Sequence, residues 1–203
     1  YKRQRRRRLR RDRLRLRPPP LEGPCSWLVI PANRSRLSPV NFQDTQLIGV
    51  LARAESTVSS LSDLLGGLVE KFAARGYSLY LVGGSVRDAL LGRLGNDLDF
   101  TTPARPEVVK EILDEWAETV WDTGIDFGTV SAAYKGQQIE ITTFRSDSYD
   151  GQSRNPEVVY GDTLEGDLVR RDFKANAMAI ELLADASFKF HDPLHGLQDI
   201  ADR

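Results

Sequence analysis

The sequence predicts a small α/β domain, a mixed sheet with flanking helices, on three observations. Apolar residues recur at helical spacing between Thr57 and Arg75, and strand-like and helical runs then alternate from Ser78 to His191. Two alternating runs, Thr129–Tyr134 and Gln138–Thr143, are joined across Lys135-Gly136 as a hairpin. A hairpin next to a strand reached through helices makes the sheet mixed rather than purely parallel.

In chain order, residues 1–45 are arginine-rich and then proline-containing, with no sustained period, and are expected to be a disordered tail and linker. The folded domain is expected over 46–203. Val58, Leu61, Leu64, Leu65, Leu68, Val69 and Phe72 form the stripe of the first helix, which Gly76 ends. Ser78–Val82 reads as a short buried strand, Val86–Leu91 as a short helix closed by Gly92, and Asp97–Thr101 as a second strand. Thr102-Pro103 breaks that strand, and a helix follows over Pro106–Trp116. Thr119–Trp121 is a strand ahead of the hairpin, and a polar loop runs from Ser146 to Gly161. Leu168–Ala177 reads as a helix, Met178–Leu182 as a strand or helix end, and Phe188–His191 as the last strand. No internal repeat is visible.

The net charge of −1 conceals an asymmetry. Residues 1–20 hold 11 of the 28 Lys and Arg and one of the 29 Asp and Glu, a local charge of +10; the remainder has 17 basic against 28 acidic residues, or −11. An acidic body is not the footprint of a stand-alone nucleic-acid binder. The basic run reads either as a solvated tail or as an RNA-binding arm or targeting signal, and it lacks the apolar segment of a secretory signal. One cysteine, Cys25, excludes an internal disulfide and fits a reducing compartment; it is given no other role. No apolar run approaches 18 residues. The chain begins with Tyr1 rather than Met, and is expected to be a fragment or processed product.

The chemistry is concentrated in Leu81–Phe100, LVGGSVRDALLGRLGNDLDF. The pair Gly83-Gly84 ends an apolar strand and precedes a helix; glycine lets backbone approach a phosphate, and a helix N-terminus favours an anion. Asp97 and Asp99, two apart on a strand, project from one face, with Leu98 and Phe100 behind them. Paired hard carboxylates suit Mg2+, which takes one or two of them plus substrate phosphates. D-x-D alone would be an ordinary turn signal after Gly95-Asn96; with the glycine pair upstream it points to a nucleotide and its metal.

A third acid, Glu140, is flanked by Ile139 and Ile141 and should face away from the core. With the hairpin beside the Asp strand, the three carboxylates would form the cluster expected of two-metal nucleotidyl transfer; alone, Glu140 would be an exposed strand glutamate. Downstream lies DLVRRDFKANAMA, from Asp167 to Ala179. On a helix, Arg171 would lie near Ala175 and Asp172 near Asn176. Arg171 offers phosphate a planar fork, Asn176 a hydrogen bond to a ribose hydroxyl or a neighbouring loop, and Arg170 a surface ion pair. His191 and His195, the two histidines, lack companions for a zinc set. Tyr134 and Tyr149 could stack on a base, though packing is the simpler reading.

Together with GTVSAAYKGQQIEITTFR (128–145), these stretches resemble the catalytic head of class II tRNA nucleotidyltransferases, the CCA-adding enzymes. Bacterial poly(A) polymerases share that head, and both belong to the polymerase-beta-like nucleotidyltransferase superfamily. The similarity runs from about Thr57 to Arg203, and G-G-x-V-R-D, D-x-D and R-R-D-F-x-x-N-A are specific in combination. The resemblance implies that Asp97 and Asp99 hold catalytic Mg2+, with Glu140 the third carboxylate. It implies that Gly83, Gly84, Arg87 and Asp88 meet the incoming triphosphate, that Arg171 contacts nucleotide, and that Asp172 and Asn176 orient the sugar or brace the site. Arg145 resembles an arginine at the start of a flexible loop, here SDSYDGQSRNPEVVYGD, implicated in switching from C to A addition. The implied function is transfer of CMP and AMP from CTP and ATP to the 3′ end of tRNA in the cytoplasm. A poly(A) polymerase with the same head, or a truncated remnant that only binds nucleotide, are the alternatives.

Three departures qualify the resemblance. Lys174-Ala175 stands where the family usually has Thr-Ile or Thr-Val, adding a charge near the site. His195 replaces a glycine in D-P-x-G-G-x-x-D-L, and would strain a turn that needs positive φ. The family's neck, with the E-D-x-x-R motif that selects CTP and ATP, would lie beyond Arg203, as would the body and tail that grip tRNA. Base choice and most of the RNA grip are therefore expected outside this chain.

Overall fold

Val50, Ala54, Val58, Leu65, Leu68 and Phe72 recur at steps of three, four and seven residues and are all buried, which is why 42–74 forms one helix, α1 (Phe42–Ala74). Each large apolar side chain fully buried there contributes about 1.5–3 kcal/mol. The helix stops at Gly76, whose φ of +79° lets the Tyr77 N–H reach back to the Phe72 carbonyl at 3.0 Å. The computed structural model describes residues 27–29, 42–146, 159–185 and 187–202.

After α1 come β2 (Leu79–Val82), α2 (Gly83–Leu90), β3 (Asp97–Thr102), α3 (Pro106–Asp114), β4 (Thr119–Trp121), β5 (Thr129–Tyr134) and β6 (Gln137–Thr143). A small ladder, β7 (Arg145–Ser146) with β8 (Val159–Tyr160), precedes α4 (Leu164–Val169), β9 (Ala179–Leu182), β10 (Phe188–His191) and α5 (Gly196–Ala201). Among the described residues one eight-stranded sheet forms in the order β1-β10-β9-β2-β3-β6-β5-β4, with β1 spanning Trp27–Val29. The β3–β6 pair is parallel and every other pair in it antiparallel. The mixed sheet expected from the pattern is thus present. Lys135 (φ +47°) and Gly136 (φ +77°) both take left-handed backbone in the β5–β6 turn, the geometry whose twist matches the flanking strands.

Leu98, Phe100, Ile139 and Ile141 are buried in the core that α1 and α3 cover. Asp97, Asp99 and Glu140 alternate with them and are exposed on the other face. α4 lies on that second face, its Leu168 packed with Val82 and Ala179.

Three expectations change. α1 begins at Phe42, since Val50, Leu51 and Ala54 continue the stripe seen from Val58. Strand β1, within the segment read as tail and linker, pairs with β10 at the sheet edge, Trp27 opposite His191. The helix expected over Leu168–Ala177 is instead the end of α4, a turn, and a 3-10 turn at Lys174–Asn176, with Phe173 extended between them (φ −125°, ψ 133°). Thr163 starts α4 early by accepting the Gly166 N–H at 3.2 Å. Beyond it, Asn176 is tied by its side chain to Arg87 on α2. Of the segment read as Met178–Leu182, Ala179–Leu182 is strand. Most of the polar loop, with Tyr149, lies outside the described residues.

Candidate active site

The parallel register sets Asp99 opposite Glu140 and Asp97 opposite Gln138. Neighbouring strands lie about 4.8 Å apart, so the acids share one face at short range. Ser85, on the first turn of α2, ties the Asp strand to that helix: its Oγ donates to the Asp97 carbonyl at 3.4 Å and accepts the Asp99 N–H at 3.0 Å. Although the residue is exposed, partial loss of water around its carboxyl in the corner pushes Asp99 above the ordinary carboxylate range; Glu140 adds to the rise, Arg171 opposes it, and Asp97 adds again. Among the described residues no three of His, Cys, Asp and Glu close into one metal-holding group. The three-carboxylate cluster is therefore a row of like charges. The Asp pair suits an ion that takes one or two carboxylates and completes its shell from phosphate and water, and the repulsion at Asp99 is what such an ion relieves.

Gly83 opens α2 with φ +66°, next to this row. A Cβ there would stand 3.1 Å from Arg171 Nη1 and 3.9 Å from Asp99 Oδ2. Only glycine leaves that corner open while bending β2 into α2. Gly84 similarly leaves room for the Arg87 guanidinium, 3.4 Å from its missing Cβ.

The two arginine-bearing motifs meet here. Arg87 donates to both oxygens of Asp88, at 3.0 and 3.1 Å, and through Nη1 to Asn176 Oδ1 at 3.0 Å. That fork holds the Asp88 carboxyl below its usual range. Asn176 is presented by the 3-10 turn, which rests on α5: a Cβ on Gly196 would lie 2.2 Å from the Lys174 carbonyl oxygen. Asp192 fixes α5 by accepting the Gly196 and Leu197 N–H groups at 2.8 and 2.9 Å. His195, just before Gly196, does take the left-handed conformation (φ +58°) that its position in the turn suggested.

Asp167, fully buried on α4, is the second hub. Its Oδ1 accepts the Arg145 N–H at 3.1 Å and Arg170 Nη2 at 3.0 Å, and its Oδ2 accepts Arg171 Nη2 at 3.0 Å. The Arg171 Nε is buried without a hydrogen-bond partner. Arg145 turns its own guanidinium to Thr129 Oγ1 (3.1 Å) and the Phe127 carbonyl. Burial, with the neighbouring charge of Arg170, lowers its pKa.

The fold thus gathers Asp97, Asp99, Glu140, Gly83 and Arg171 at one corner, and Gly84, Arg87, Asp88 and Asn176 beside it. Asp172, read as a sugar or bracing residue, is exposed on the turn. Tyr134 packs on Trp116, ring centroids 4.0 Å apart. His191 meets Glu181 at 3.5 Å, away from His195 at the start of α5. Sequence reasoning missed Ser85, Asp167 and Gly196. Asp167 had a signal: it precedes Arg170 and Arg171 by three and four residues, the spacing of helical ion pairs. Ser85 and Gly196 act through partners that no local spacing reveals.

The sequence and the fold both have relatives among known proteins. Over 130 residues the chain is 44% identical to the CCA-adding enzyme of Listeria innocua serovar 6a, covering 64% of this chain and 31% of that protein. The fold matches the crystal structure of the Bacillus stearothermophilus CCA-adding enzyme in complex with CTP, with a TM-score of 0.54 and 36% identity over 68% of this chain and 31% of that one. It also matches a tRNA nucleotidyltransferase complexed with a primer tRNA and an incoming ATP analog, with a TM-score of 0.52 and 29% identity over 71% and 36% of the two chains. The chain spans about a third of the length of the curated relatives it matches. The family described as Poly A polymerase head domain matches residues 79–203, and it is to this family that the chain belongs.

Proposed function

We propose that this chain is the catalytic head of an RNA nucleotidyltransferase that adds CMP and AMP to the 3′ end of tRNA. The observation that carries the reading is the corner at which Asp99, Glu140, Gly83 and Arg171 meet, with the Arg87–Asp88–Asn176 cluster beside it. Carboxylates, an open glycine backbone and preset guanidinium groups are what a nucleoside triphosphate and its cation require together.

In the reaction, the RNA 3′-hydroxyl oxygen attacks the α-phosphorus, the bond to the bridging oxygen of the β-phosphate breaks, and pyrophosphate leaves with that electron pair. The hydroxyl proton passes to solvent. A divalent cation held by Asp97 and Asp99, with Mg2+ the expected ion, would neutralise triphosphate charge and lower the pKa of the attacking hydroxyl. Glu140 adds negative charge beside Asp99 as the third carboxylate. Gly83 and Gly84 let the triphosphate approach the start of α2, and Arg171 directs its fork to phosphate oxygens. Arg87, fixed by Asp88 and Asn176, supplies a second cation whose direction is set before substrate arrives. Arg145 sits at the stem of the loop after β6, and Asp172, exposed on its turn, would meet a sugar hydroxyl.

CTP, ATP and the tRNA 3′ end are the expected substrates, and the acidic body places most of the RNA grip outside this chain. Among the described residues no helix is long and apolar enough to cross a membrane; with a single cysteine, a cytoplasmic setting is the consistent one. In the full-length protein, Asp97→Ala should abolish incorporation of CMP and AMP into a tRNA lacking its 3′ end while the fold is retained. Retained incorporation would overturn the site. Wild-type reactions with CTP alone, ATP alone and both should give ordered addition of two C and one A; a long A run would make the protein a poly(A) polymerase.

A further inference from the structure

Among the described residues, Arg171 has more donors than its surroundings use, and one carboxylate oxygen determines how they are turned. Its Nη2 is bound to Asp167 Oδ2, its Nη1 faces the open corner at Gly83, and its Nε is buried without a partner. Asp167 is itself fully buried, and its other oxygen is taken up by the Arg145 N–H and by Arg170. Oδ2 is thereby left to Arg171. The carboxylate also joins two pieces of chain 22 residues apart, the start of β7 and the end of α4.

The geometry points to Asp167 as a positioning residue for nucleotide binding: it clamps the Arg171 guanidinium through Nη2 so that Nη1 faces the incoming phosphates. This rests on the nucleotidyltransferase reading of the same corner and adds to it the residue that sets the fork. A carboxylate is needed because it accepts on both edges; an amide offers one oxygen and one donor NH2, and so can serve Arg145 and Arg170 or Arg171, not both. A buried charge in this position is held only while its partners are in place.

The test is a double-mutant cycle in the full-length protein, reading nucleotide KM and kcat together with the melting temperature. Asp167→Asn should raise nucleotide KM about tenfold, the scale of one lost charge-assisted hydrogen bond, and change kcat less. In an Arg171→Ala background the same substitution should add less than about twofold, because its effect passes through Arg171. Equal losses in both backgrounds would make Asp167 merely structural and overturn the proposal. Arg171→Lys covers the case in which Asp167→Asn fails to fold: it keeps the charge but not the fork, and should be as defective as Arg171→Ala. Wild-type KM in Arg171→Lys would show that orientation does not matter, and would also overturn it. If Arg171→Ala alone leaves KM unchanged, this proposal falls while the catalytic reading, tested by Asp97→Ala, still stands.

Discussion

Glu181 on β9 and Asp99 on β3 face the same side of one sheet, two strands apart, in opposite surroundings. Glu181 stands opposite Tyr80, which stands opposite Thr101, two residues along from Asp99. Glu181 Oε2 has the Lys189 ammonium at 3.4 Å and the His191 imidazole Nε2 at 3.5 Å. Asp99 has Glu140 opposite it and, among the described residues, no cation within ion-pairing distance. A strand acid that serves the fold is paired by the fold. The acids at β3 and β6 are placed by the ladder, with Ser85 bracing the Asp strand, and repel each other, a cost to stability that Arg171 offsets in part and a bound cation would offset further.

The largest effect should separate the two acids outright. Asp99→Asn should reduce incorporation about 100-fold or more, the scale of a lost transition-state electrostatic contact, and leave the melting temperature unchanged or raised, because it removes repulsion with Glu140. Glu181→Gln should do the reverse, lowering stability by about 1 kcal/mol or less with nucleotide KM and kcat intact. Incorporation and thermal melts on both variants check this. A destabilised Asp99→Asn, or an inactive Glu181→Gln, would break the contrast.

The arginine side of the site is held differently again, by docked turns rather than by a ladder, and glycine substitutions sharpen that distinction. In Gly196→Ala the new Cβ would lie 2.2 Å from the Lys174 carbonyl oxygen and 2.7 Å from its carbon, so the backbone of the 3-10 turn must move. The cost should be about 1–3 kcal/mol, and nucleotide KM should rise with it, since Asn176 is carried off Arg87. Gly95→Ala, where a Cβ meets nothing within 4 Å, should change neither. Urea unfolding and nucleotide KM on the pair of variants measure both effects; an unfolding shift without a KM change would detach Asn176 from the site.

The ladder side was legible in the sequence because its information is local. DLDF and QIEI alternate with period two, and Lys135-Gly136 gives the turn, so the shared face of Asp97, Asp99 and Glu140 follows from spacing once β3 and β6 are neighbours. The turn side was not. A helical reading of Leu168–Ala177 satisfies local spacing, yet the segment is set by an Asp167 bond to Arg145, 22 residues away, and an Asn176 bond to Arg87, 89 residues away. Competing partners at that distance leave no period. Strand β1 was invisible for a similar reason: three residues cannot display alternation, and their partners, 189–191, lie far along the chain.

The smallest expected effect is a pH dependence in the paired region. His191 is nearly buried, and burial lowers its pKa below the ordinary value near 6.5; Glu181 opposes that shift and Lys189 adds to it slightly. A histidine with a depressed folded pKa binds fewer protons folded than unfolded, so its contribution to stability is complete above the unfolded pKa and declines as pH falls from there to the folded pKa. The melting temperature of the wild type should therefore fall, relative to His191→Gln, as pH is lowered from about 7.5 through 6. Glu181→Gln should steepen that fall, because it removes the charge that favours the protonated ring. A shallower profile in Glu181→Gln would mean that Glu181 is not what restrains the shift, and the paired half of the contrast would lose its electrostatic basis.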